Sequence, residues 1–480
     1  MDEYNKVMMV AVDTLRANHL GCYGHDQETS PFIDQLADEG TYFEKCYASD
    51  VPTPSSFTSF LCGSRGLENG IIGFNDEWSD FRPTSRPLPE RFAGSGYRTG
   101  MISNLPYSTP WLIRGFHDIH PPGLAFQAGS ATEVTEEARR WLRNHGNDNF
   151  FLFVHYWDPH VPYDLAPEEY KEMFSPGDYS ESSPDMEVFE ENEWLKAVYK
   201  GHHSKTGTPE KPEKVMSLYD SEIRYTDSEI ENLFGALQEL GIDEETLVVL
   251  FSDHGEAFGE YGFWDHHSCY NNISRVPLIF WSRDSNWEGP IEEYVQHLDV
   301  YPTVLKMAGL SRTGGTDGKN LLPLLEGSGN GREEVVVNTD STVIQRMYVK
   351  NDYALVHTPL RPIRKHIDEF EFFDLEEDPD QLKDISEEKE GLVEKYRLEL
   401  QDWLSDYLDG SLDLLHKSAV KGCSGLNWYQ EALSENPDLA FDDKEFMREF
   451  INQYGEAAWL VGEERITSKE DMEAYGPRNE

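Results

Sequence analysis

Cysteine is scarce and scattered in this sequence. The five residues, Cys22, Cys46, Cys62, Cys269 and Cys423, are odd in number and form no C-x-x-C pair. Disulfide-stapled secreted domains and cysteine-based zinc sites have closely spaced, paired sets instead. The spacing therefore argues against a disulfide framework and predicts a protein of a reducing compartment, the cytoplasm.

Positive charge is also in short supply. Lys and Arg number 41 against 90 Asp and Glu, which gives a formal net charge of −49. Nucleic-acid binding depends on basic contacts to phosphates, and an anionic membrane surface repels such a chain, so we expect neither partner. Aromatic residues make up 12% of the chain, which argues against disorder. An acidic excess of this size suggests adaptation to a high-salt cytoplasm, where self-repulsion is screened.

Long apolar runs, a signal peptide and internal repeats are missing as well. No run approaches the roughly 20 residues of a membrane span. Only Met1–Lys6 precedes the first apolar run, without the basic start, long core and cleavage site of a signal peptide. We therefore expect a soluble chain without stable membrane insertion, whose oligomeric state stays open. At 480 residues the chain is longer than a single hydrophobic core usually supports, so a large domain and a smaller one are expected.

Three short apolar runs, each typical of a buried parallel strand, lead into polar residues. They are Val7–Val12 with Asp13, Asn149–Trp157 with His160, and Val248–Phe251 with Asp253 and His254. Ligands bind at the carboxyl edge of such a sheet, and an adjacent Asp and His make a plausible metal-binding pair. Taken singly, Asp13 also fits a helix cap, His160 a loop histidine, and the Asp-His pair an ordinary turn.

Helix signals alternate with these strands. Ser30-Pro31 opens a helix that Gly40 closes, and a capping box at Ser130–Glu133 predicts a helix to about Asn144. Farther along the chain, after the second strand-like run, apolar residues again recur at helical spacing up to Gly241, which predicts a long amphipathic helix. This alternation predicts an α/β fold, a mostly parallel sheet sandwiched by helices.

A further start signal, Thr53-Pro54, precedes Ser55–Cys62, and Gly63 ends that helix. A hydroxyl at a helix N-terminus lies where phosphate or sulfate is favoured, although a threonine there is more often only a cap.

The domain boundaries are predicted from changes in composition. Residues 1–325 form the expected catalytic domain, in which the polar, aperiodic stretch 175–214 is an insertion or flap. Residues 326–408 predict a smaller C-terminal α+β domain, with two strand-like runs in Val335–Val356, a third in Phe370–Leu375 and a helix from about Glu387 to Tyr407. Residues 409–480 predict an acidic helical extension without a functional interpretation.

An ordered series of motifs spans Lys6 to Ser386. It comprises VDTLRANHLGCYG, TPSSFTSFLCG, FLFVHYWDPHVPY, YDSEIRYTDSEI, SDHGEAFGE with SRVPLIF, HLDVYPTVLKMAGL and FEFFDLEEDPDQ. This series resembles the sulfatase family of the alkaline phosphatase superfamily, in the family's own order. The resemblance implies an alkaline phosphatase-like fold and an ester hydrolase.

The resemblance also implies a site. One divalent metal ion (Ca, Mn or Mg, with Zn possible) would be held by Asp13, Asp253, His254 and the oxygen of Thr53, which would be the nucleophile. His160 matches an active-site histidine that would donate a proton to the leaving oxygen or hold the anion. His266 or His267 falls where similar enzymes keep a Lys or His, and it would bind a non-bridging oxygen. Arg16 and Asn75 are weaker candidates for substrate binding.

The sequence departs from the family at the nucleophile. Sulfatases carry a Cys/Ser-x-Pro-x-Arg motif that matures to formylglycine, whereas this chain reads Thr53-Pro54-Ser55-Ser56-Phe57. Formylglycine is therefore not expected, and Thr53 resembles the nucleophile of relatives that form a phosphothreonine. Arg224 stands where two-metal phosphatases have a histidine, which favours one metal. His297 is an alternative downstream ligand or simply a helix-start residue.

Four functions remain open at this stage. The first is hydrolysis of a sulfuric or phosphoric ester, on a small molecule or a glycan, through Thr53. The second is a phosphodiesterase or phosphonate hydrolase, and the third a transferase of phospho-alcohol groups to glycans. The fourth is a catalytically degenerate binding protein, against which the retention of Asp13, Thr53, Asp253 and His254 argues.

Overall fold

The computed structural model describes residues 3–74, 76–124, 127–179, 211–287, 289–310, 315–361, 367–421, 423–424, 460–461 and 464–465. Most of the predicted flap at 175–214 and of the predicted extension at 409–480 lies outside these residues. Residues 212–214 already belong to a long helix. The predicted domain boundaries stay a prediction.

Seven strands form the central sheet. In order across it they are Thr41–Tyr42, Leu278–Trp281, Thr246–Phe251, Lys6–Val12, Phe150–Tyr156, Arg98–Ile102 and Asp118–His120. The last five pair in parallel, whereas Leu278–Trp281 runs antiparallel to both of its neighbours. The predicted mostly parallel sheet is confirmed.

The position of the central strand Lys6–Val12 explains why its residues after Lys6 are all apolar. Alternate side chains point to opposite faces of a strand. Val7, Met9 and Ala11 join the core on one face, and Met8 and Val10 join the core on the other. A strand buried on both faces needs apolar residues at successive positions, so it shows a continuous run instead of an alternation.

Helices cover both faces of the sheet. Thr53–Cys62, Leu88–Gly94 and Val300–Met307 contribute to one core, and Pro31–Glu39, Ala131–His145 and Pro212–Leu240 to the other. The remaining α-helices are Gly66–Asn69, Glu168–Lys171, Asn271–Ser274, Leu322–Leu325, Glu390–Leu408 and Leu414–Lys421. In the part of the chain that the structure describes, no helix has the length and apolar character to cross a bilayer.

Two helix starts test the capping predictions. The capping box at Ser130 and Glu133 is confirmed. Ser30 occupies the N-cap position before Pro31, but its side chain makes no capping bond, because it bonds to Gly21 N and Asp34 instead. The buried carboxylate of Asp227, from the long helix, accepts the N–H groups at the start of Pro31–Glu39. A group remote in sequence therefore takes over the capping role.

A second sheet of five strands follows in the C-terminal part. Its order is Phe370–Asp374, Tyr353–Leu360, Ile344–Lys350, Val335–Asp340 and Asp50–Val51, and the helix Glu390–Leu408 packs on it. Three strands begin within 335–356, where two were expected, because Asn351 and Asp352 at positive φ turn the chain tightly. Asp50–Val51 pairs in parallel with Val335–Asp340. The residues just before Thr53 are thus part of this second sheet.

Four strand pairs complete the described structure. They are Cys46–Tyr47 with Val295–Gln296, Ala257–Phe258 with Trp264–Asp265, Gly123–Leu124 with Gln127–Ala128, and Leu460–Val461 with Glu464–Arg465. Short 3-10 helices occur at Ala17–His19, Gly21–Tyr23, Leu105–Tyr107, Pro110–Ile113, Pro176–Tyr179, Asp243–Glu245, Glu260–Gly262 and His297–Asp299.

Candidate active site

Two neighbouring parallel strands end together at the carboxyl edge of the central sheet. Ala11 pairs with Phe251, so Asp13 and Asp253 follow their strands at nearly the same height. Thr14 turns the chain at a φ of 53°, and its N–H donates to Asp253 Oδ1 at 3.2 Å. Parallel register thereby brings together two carboxylates that lie far apart in sequence.

The group formed by Asp13, Asp253 and His254 fits a divalent cation. Their ligand atoms lie within 4.8 Å of one another, and all three side chains are buried. Asp13 Oδ1 and Asp253 Oδ2 have no hydrogen-bond partner among the described residues. Burial raises the pKa of both carboxyl groups to about 7, and Asp13 adds to the rise at Asp253. Buried oxygens without partners and with like charge are the environment that a cation stabilises.

The hydrogen bonds of His254 assign its tautomer. Nδ1 donates to the carbonyl of Gly255 at 3.0 Å, so the lone pair lies on Nε2. Nε2 faces Asp253 Oδ2 at 3.2 Å and Thr53 Oγ1 at 2.9 Å. The imidazole therefore presents its lone pair to the space shared by the carboxylates and the threonine hydroxyl.

Thr53 is the first residue of its helix, but its hydroxyl makes no cap. It is 6% exposed, beside His254 and in the positive field of the helix N-terminus. Ser56, one turn on, fixes the helix by donating from Oγ to Asp253 O at 2.7 Å. Phe57 and Phe60 are fully buried beneath it. The predicted nucleophile is thus held against the predicted metal ligands.

His297 supports this helix. Its Nε2 donates to Ser56 Oγ at 2.8 Å, at the start of a 3-10 helix. Burial lowers the pKa of His297 to about 3, so the ring is neutral. The sequence left two interpretations of His297, a downstream metal ligand or a helix-start residue, and its position in the structure agrees with the second.

The remaining predicted histidines form a row of rings that begins at His254. His266 stacks on His254 with centroids 4.4 Å apart, and His160 lies 5.1 Å from His266. His160 Nδ1 donates to the carbonyl of Val161 at 2.7 Å. His267 bonds through Nδ1 to Ser341 Oγ of the second sheet at 2.6 Å. Of the two neighbouring histidines, His266 is the one stacked on a predicted metal ligand.

Three residues of this site were not among the predicted site residues. Glu256 bonds to His266 Nδ1 at 3.3 Å and accepts from Tyr163 OH at 3.0 Å, and burial raises the pKa of Glu256 well above its usual range. His155 Nε2 lies 3.1 Å from Asp13 Oδ2, and burial lowers the pKa of His155 to about 4. All three residues stand inside the quoted motifs, but His155 lies within the apolar run of its strand and therefore resembles a core residue.

The two predicted substrate-binding residues have different outcomes. Arg16 is 4% exposed, donates to Glu260 Oε1 at 2.8 Å and lies over the ring of Phe258. Its substrate contact stays a prediction, since the structure pairs it with the carboxylate of Glu260, whose side chain is 11% exposed. Asn75 lies outside the described residues.

A second group of possible ligands lies at Asp220. His19 Nδ1 is 2.6 Å from Oδ1 of Asp220, and His25 Nε2 is 2.8 Å from Oδ2, which also accepts from Tyr179 OH. Both carboxylate oxygens are therefore already hydrogen-bonded, whereas Asp13 and Asp253 each have one oxygen without a partner among the described residues. We interpret this group as a hydrogen-bonded link between the loop after the central strand and the long helix.

Comparison with known proteins supports the same class. The sulfatase family model matches residues 5–310, and the model for the C-terminal region of N-sulphoglucosamine sulphohydrolase matches residues 259–407. The chain belongs to the sulfatase family. The predicted family and alkaline phosphatase-like fold are confirmed, and with them the class of enzyme, an ester hydrolase.

Individual relatives are distant. Human iduronate 2-sulfatase is 27% identical over 357 residues, which cover 63% of this chain and 64% of that protein, just under two thirds of its length. The arylsulfatase of Clostridium perfringens is 23% identical over 84% of this chain and 96% of its own length.

Solved structures share the fold, and their sequence identity to this chain is also low. BT4656 in complex with D-glucosamine-2-N,6-O-disulfate has a TM-score of 0.68 at 19% identity, covering 85% of this chain and 99% of that one. The phosphonate monoester hydrolase of Agrobacterium radiobacter has a TM-score of 0.67 at 18% identity, covering 84% and 96%.

Proposed function

We propose that this protein is a metal-dependent hydrolase that cleaves phosphoric or sulfuric esters through a covalent ester on Thr53. The observation that carries the proposal is the position of Thr53 Oγ1, 2.9 Å from His254 Nε2. It lies beside a buried pair of carboxylates that fits a cation. Retention of this set favours catalysis over a degenerate binding role.

The residues divide the reaction between them. A divalent cation held by Asp13, Asp253 and His254 would supply positive charge that polarises the ester oxygen and favours the ionised hydroxyl. Thr53 releases its proton to solvent, and its oxygen forms a bond to phosphorus or sulfur while the bond to the leaving oxygen breaks. His266 or His160, as an imidazolium, donates a proton to that leaving oxygen. Water then attacks the Thr53 ester, releases the inorganic anion and restores the hydroxyl.

The identity of the nucleophile favours phosphorus over sulfur. A formylglycine hydrate releases its sulfate by elimination, whereas a sulfated threonine has no such exit. A phosphothreonine is instead hydrolysed by attack at phosphorus. We therefore place phosphoric esters, including diesters and phosphonates, ahead of sulfates. With an alcohol in place of water the same intermediate would transfer its group, which is the transferase alternative.

The covalent intermediate gives a direct test. Intact mass after brief exposure to nitrophenyl phosphate, phenylphosphonate or nitrophenyl sulfate, with each of Ca, Mn, Mg and Zn, should show an adduct on the Thr53 peptide. Thr53→Ala should lose at least about 10³-fold in kcat, and Thr53→Ser should keep part of it. Ser55→Ala is the matched control, since the Ser55 hydroxyl bonds only to Pro52 O among the described contacts. Unchanged activity in Thr53→Ala would remove the assignment.

The setting of the reaction is proposed from the relatives, the cysteines and the net charge. Relatives are named for iduronate and N-acetylglucosamine sulfates, so a sugar-borne ester is the substrate class that we favour. All five cysteines are free, which supports a reducing compartment such as the cytoplasm. The net charge of −49 supports a high-salt cell and argues against nucleic acid as a partner.

A further inference from the structure

We propose that the segment Cys423–Ser424 completes the substrate pocket by positioning Phe74 as an aromatic wall. The leaving group that this wall fits is an alcohol on a ring with an apolar face, an aryl or pyranose ring. The inference rests on the proposed function, because it assigns the alcohol side of that ester. The family models end at residue 407, so this contribution comes from a part of the chain beyond them.

Phe74 lies beside the histidines of the site. Its ring centroid is 6.2 Å from that of His266 and 6.1 Å from that of His267. The two histidines are 6% and 8% exposed, whereas Phe74 is half-buried. A partly exposed aromatic ring next to buried catalytic groups offers a flat apolar surface where the leaving alcohol must lie.

Ser424 holds the backbone of Phe74 in place through a hydrogen bond. Phe74 N–H donates to Ser424 Oγ at 3.2 Å, and Ser424 Oγ itself donates to the carbonyl of Asp340 at 2.7 Å. Ser424 N–H adds a bond to Asp340 Oδ1 at 2.9 Å. One hydroxyl therefore links the Phe74 loop to the end of the strand Val335–Asp340.

The packing around this link is close. A Cβ at Gly73 would lie 2.6 Å from Ser424 Oγ and 2.8 Å from Asp340 O. Any residue other than glycine at position 73 would therefore collide with Ser424 and Asp340. Cys423 is buried in a small apolar cluster with Ile72 and Ile344. The segment Cys423–Ser424 thus packs against the residues before Phe74 on one side and against the second sheet on the other.

The link also reaches a catalytic candidate. Ser341, next to Asp340, bonds to His267 Nδ1 at 2.6 Å. Hydrogen bonds therefore join Phe74 to Ser424 and Ser424 to Asp340, and the next residue along the chain, Ser341, bonds to His267. Ser424 is a positioning residue in this scheme, and Phe74 is the residue that touches substrate.

The test compares a ring alcohol with one that has no ring. Full-length protein is assayed on phenyl phosphate and methyl phosphate, and the readout is the ratio of their KM values. Phe74→Leu keeps apolar volume but loses the aromatic face, and we expect it to raise the phenyl-to-methyl KM ratio about 10-fold. Ser424→Ala should raise the same ratio about 3-fold, and Ser424→Thr should restore it. Ser411→Ala, at an exposed position of the same C-terminal stretch, should leave the ratio unchanged.

The outcomes separate this inference from the proposed function. An unchanged ratio in Phe74→Leu overturns the aromatic wall, and an unchanged ratio in Ser424→Ala overturns the role of the segment. If the wild type turns over neither ester, the phosphate monoesterase part of the proposed function fails, but the pocket is still measured. Calorimetric binding of phenyl and methyl phosphate to Thr53→Ala then replaces KM, with the same expected preference and the same loss in the Phe74→Leu double variant.

Discussion

Replacing Asp253 with Asn tests the metal site through stability instead of turnover. Asp253 and Asp13 are fully buried, and each has an oxygen without a partner among the described residues. A cation bound only by the folded state stabilises it by about 4.1 kcal/mol when present at about 1,000 times its Kd. If losing one carboxylate weakens binding about 100-fold, the same concentration stabilises by only about 1.4 kcal/mol.

The assay is thermal melting of the full-length chain after EDTA treatment, followed by addition of Ca, Mn, Mg or Zn. At about 2–4 °C per kcal/mol for chains of a few hundred residues, the shift of the wild type should be several degrees and that of Asp253→Asn about a third of it. The metal-free variant should melt no lower than the wild type, because a like-charged pair has been relieved.

Asp227→Asn is the matched control for this experiment. Asp227 is another buried carboxylate whose pKa burial raises to about 7, but it caps the helix Pro31–Glu39. It should melt lower than the wild type and keep the full metal response. A full metal-induced shift in Asp253→Asn, or none in the wild type, would refute the assignment.

Two further predictions concern pH and salt. Burial raises the pKa of Glu371 from 4.5 to about 8, and Tyr270 OH donates to it at 2.6 Å, so folding favours the protonated form. The stability from this group is complete below about pH 4.5 and lost as pH rises through about 8, on the order of 5 kcal/mol in all, so Glu371→Gln should flatten the fall in melting temperature between pH 5 and pH 8. An equal fall in the variant would contradict this. The charge of −49 predicts a higher melting temperature in 2 M than in 0.1 M KCl, and no such rise would argue against self-repulsion.

The sequence contained enough to predict the sheet and its polar edge. Apolar runs that end in Asp13 and in Asp253-His254 imply parallel strands, and parallel strands bring their ends together. The motif series then added Thr53 and the histidines. These signals are local, each carried by a few consecutive residues, so they can be detected in a single chain.

What could not be predicted depends on contacts between distant residues. The strand Asp50–Val51 is too short for any periodicity, and its partner is in the second sheet. His155 looks like one more member of a buried strand, although it faces Asp13. Asp227 replaces Ser30 as a cap only because the long helix packs beside it. None of these pairings leaves a pattern in the sequence near either partner.

The parallel pairing of Asp50–Val51 with Val335–Asp340 sets the earliest moment at which this protein can work. Asn338 bonds to Asp50 from 288 residues further along the chain. During synthesis the nucleophile helix is therefore made long before the strand that fixes its entry has left the ribosome. Until that strand arrives, the residues just before Thr53 lack their partner strand, and only contacts such as those of Ser56 hold the helix. A nascent chain that ends before residue 335 should therefore form the proposed Thr53 ester less readily than the full-length chain, so we expect activity to develop late in translation.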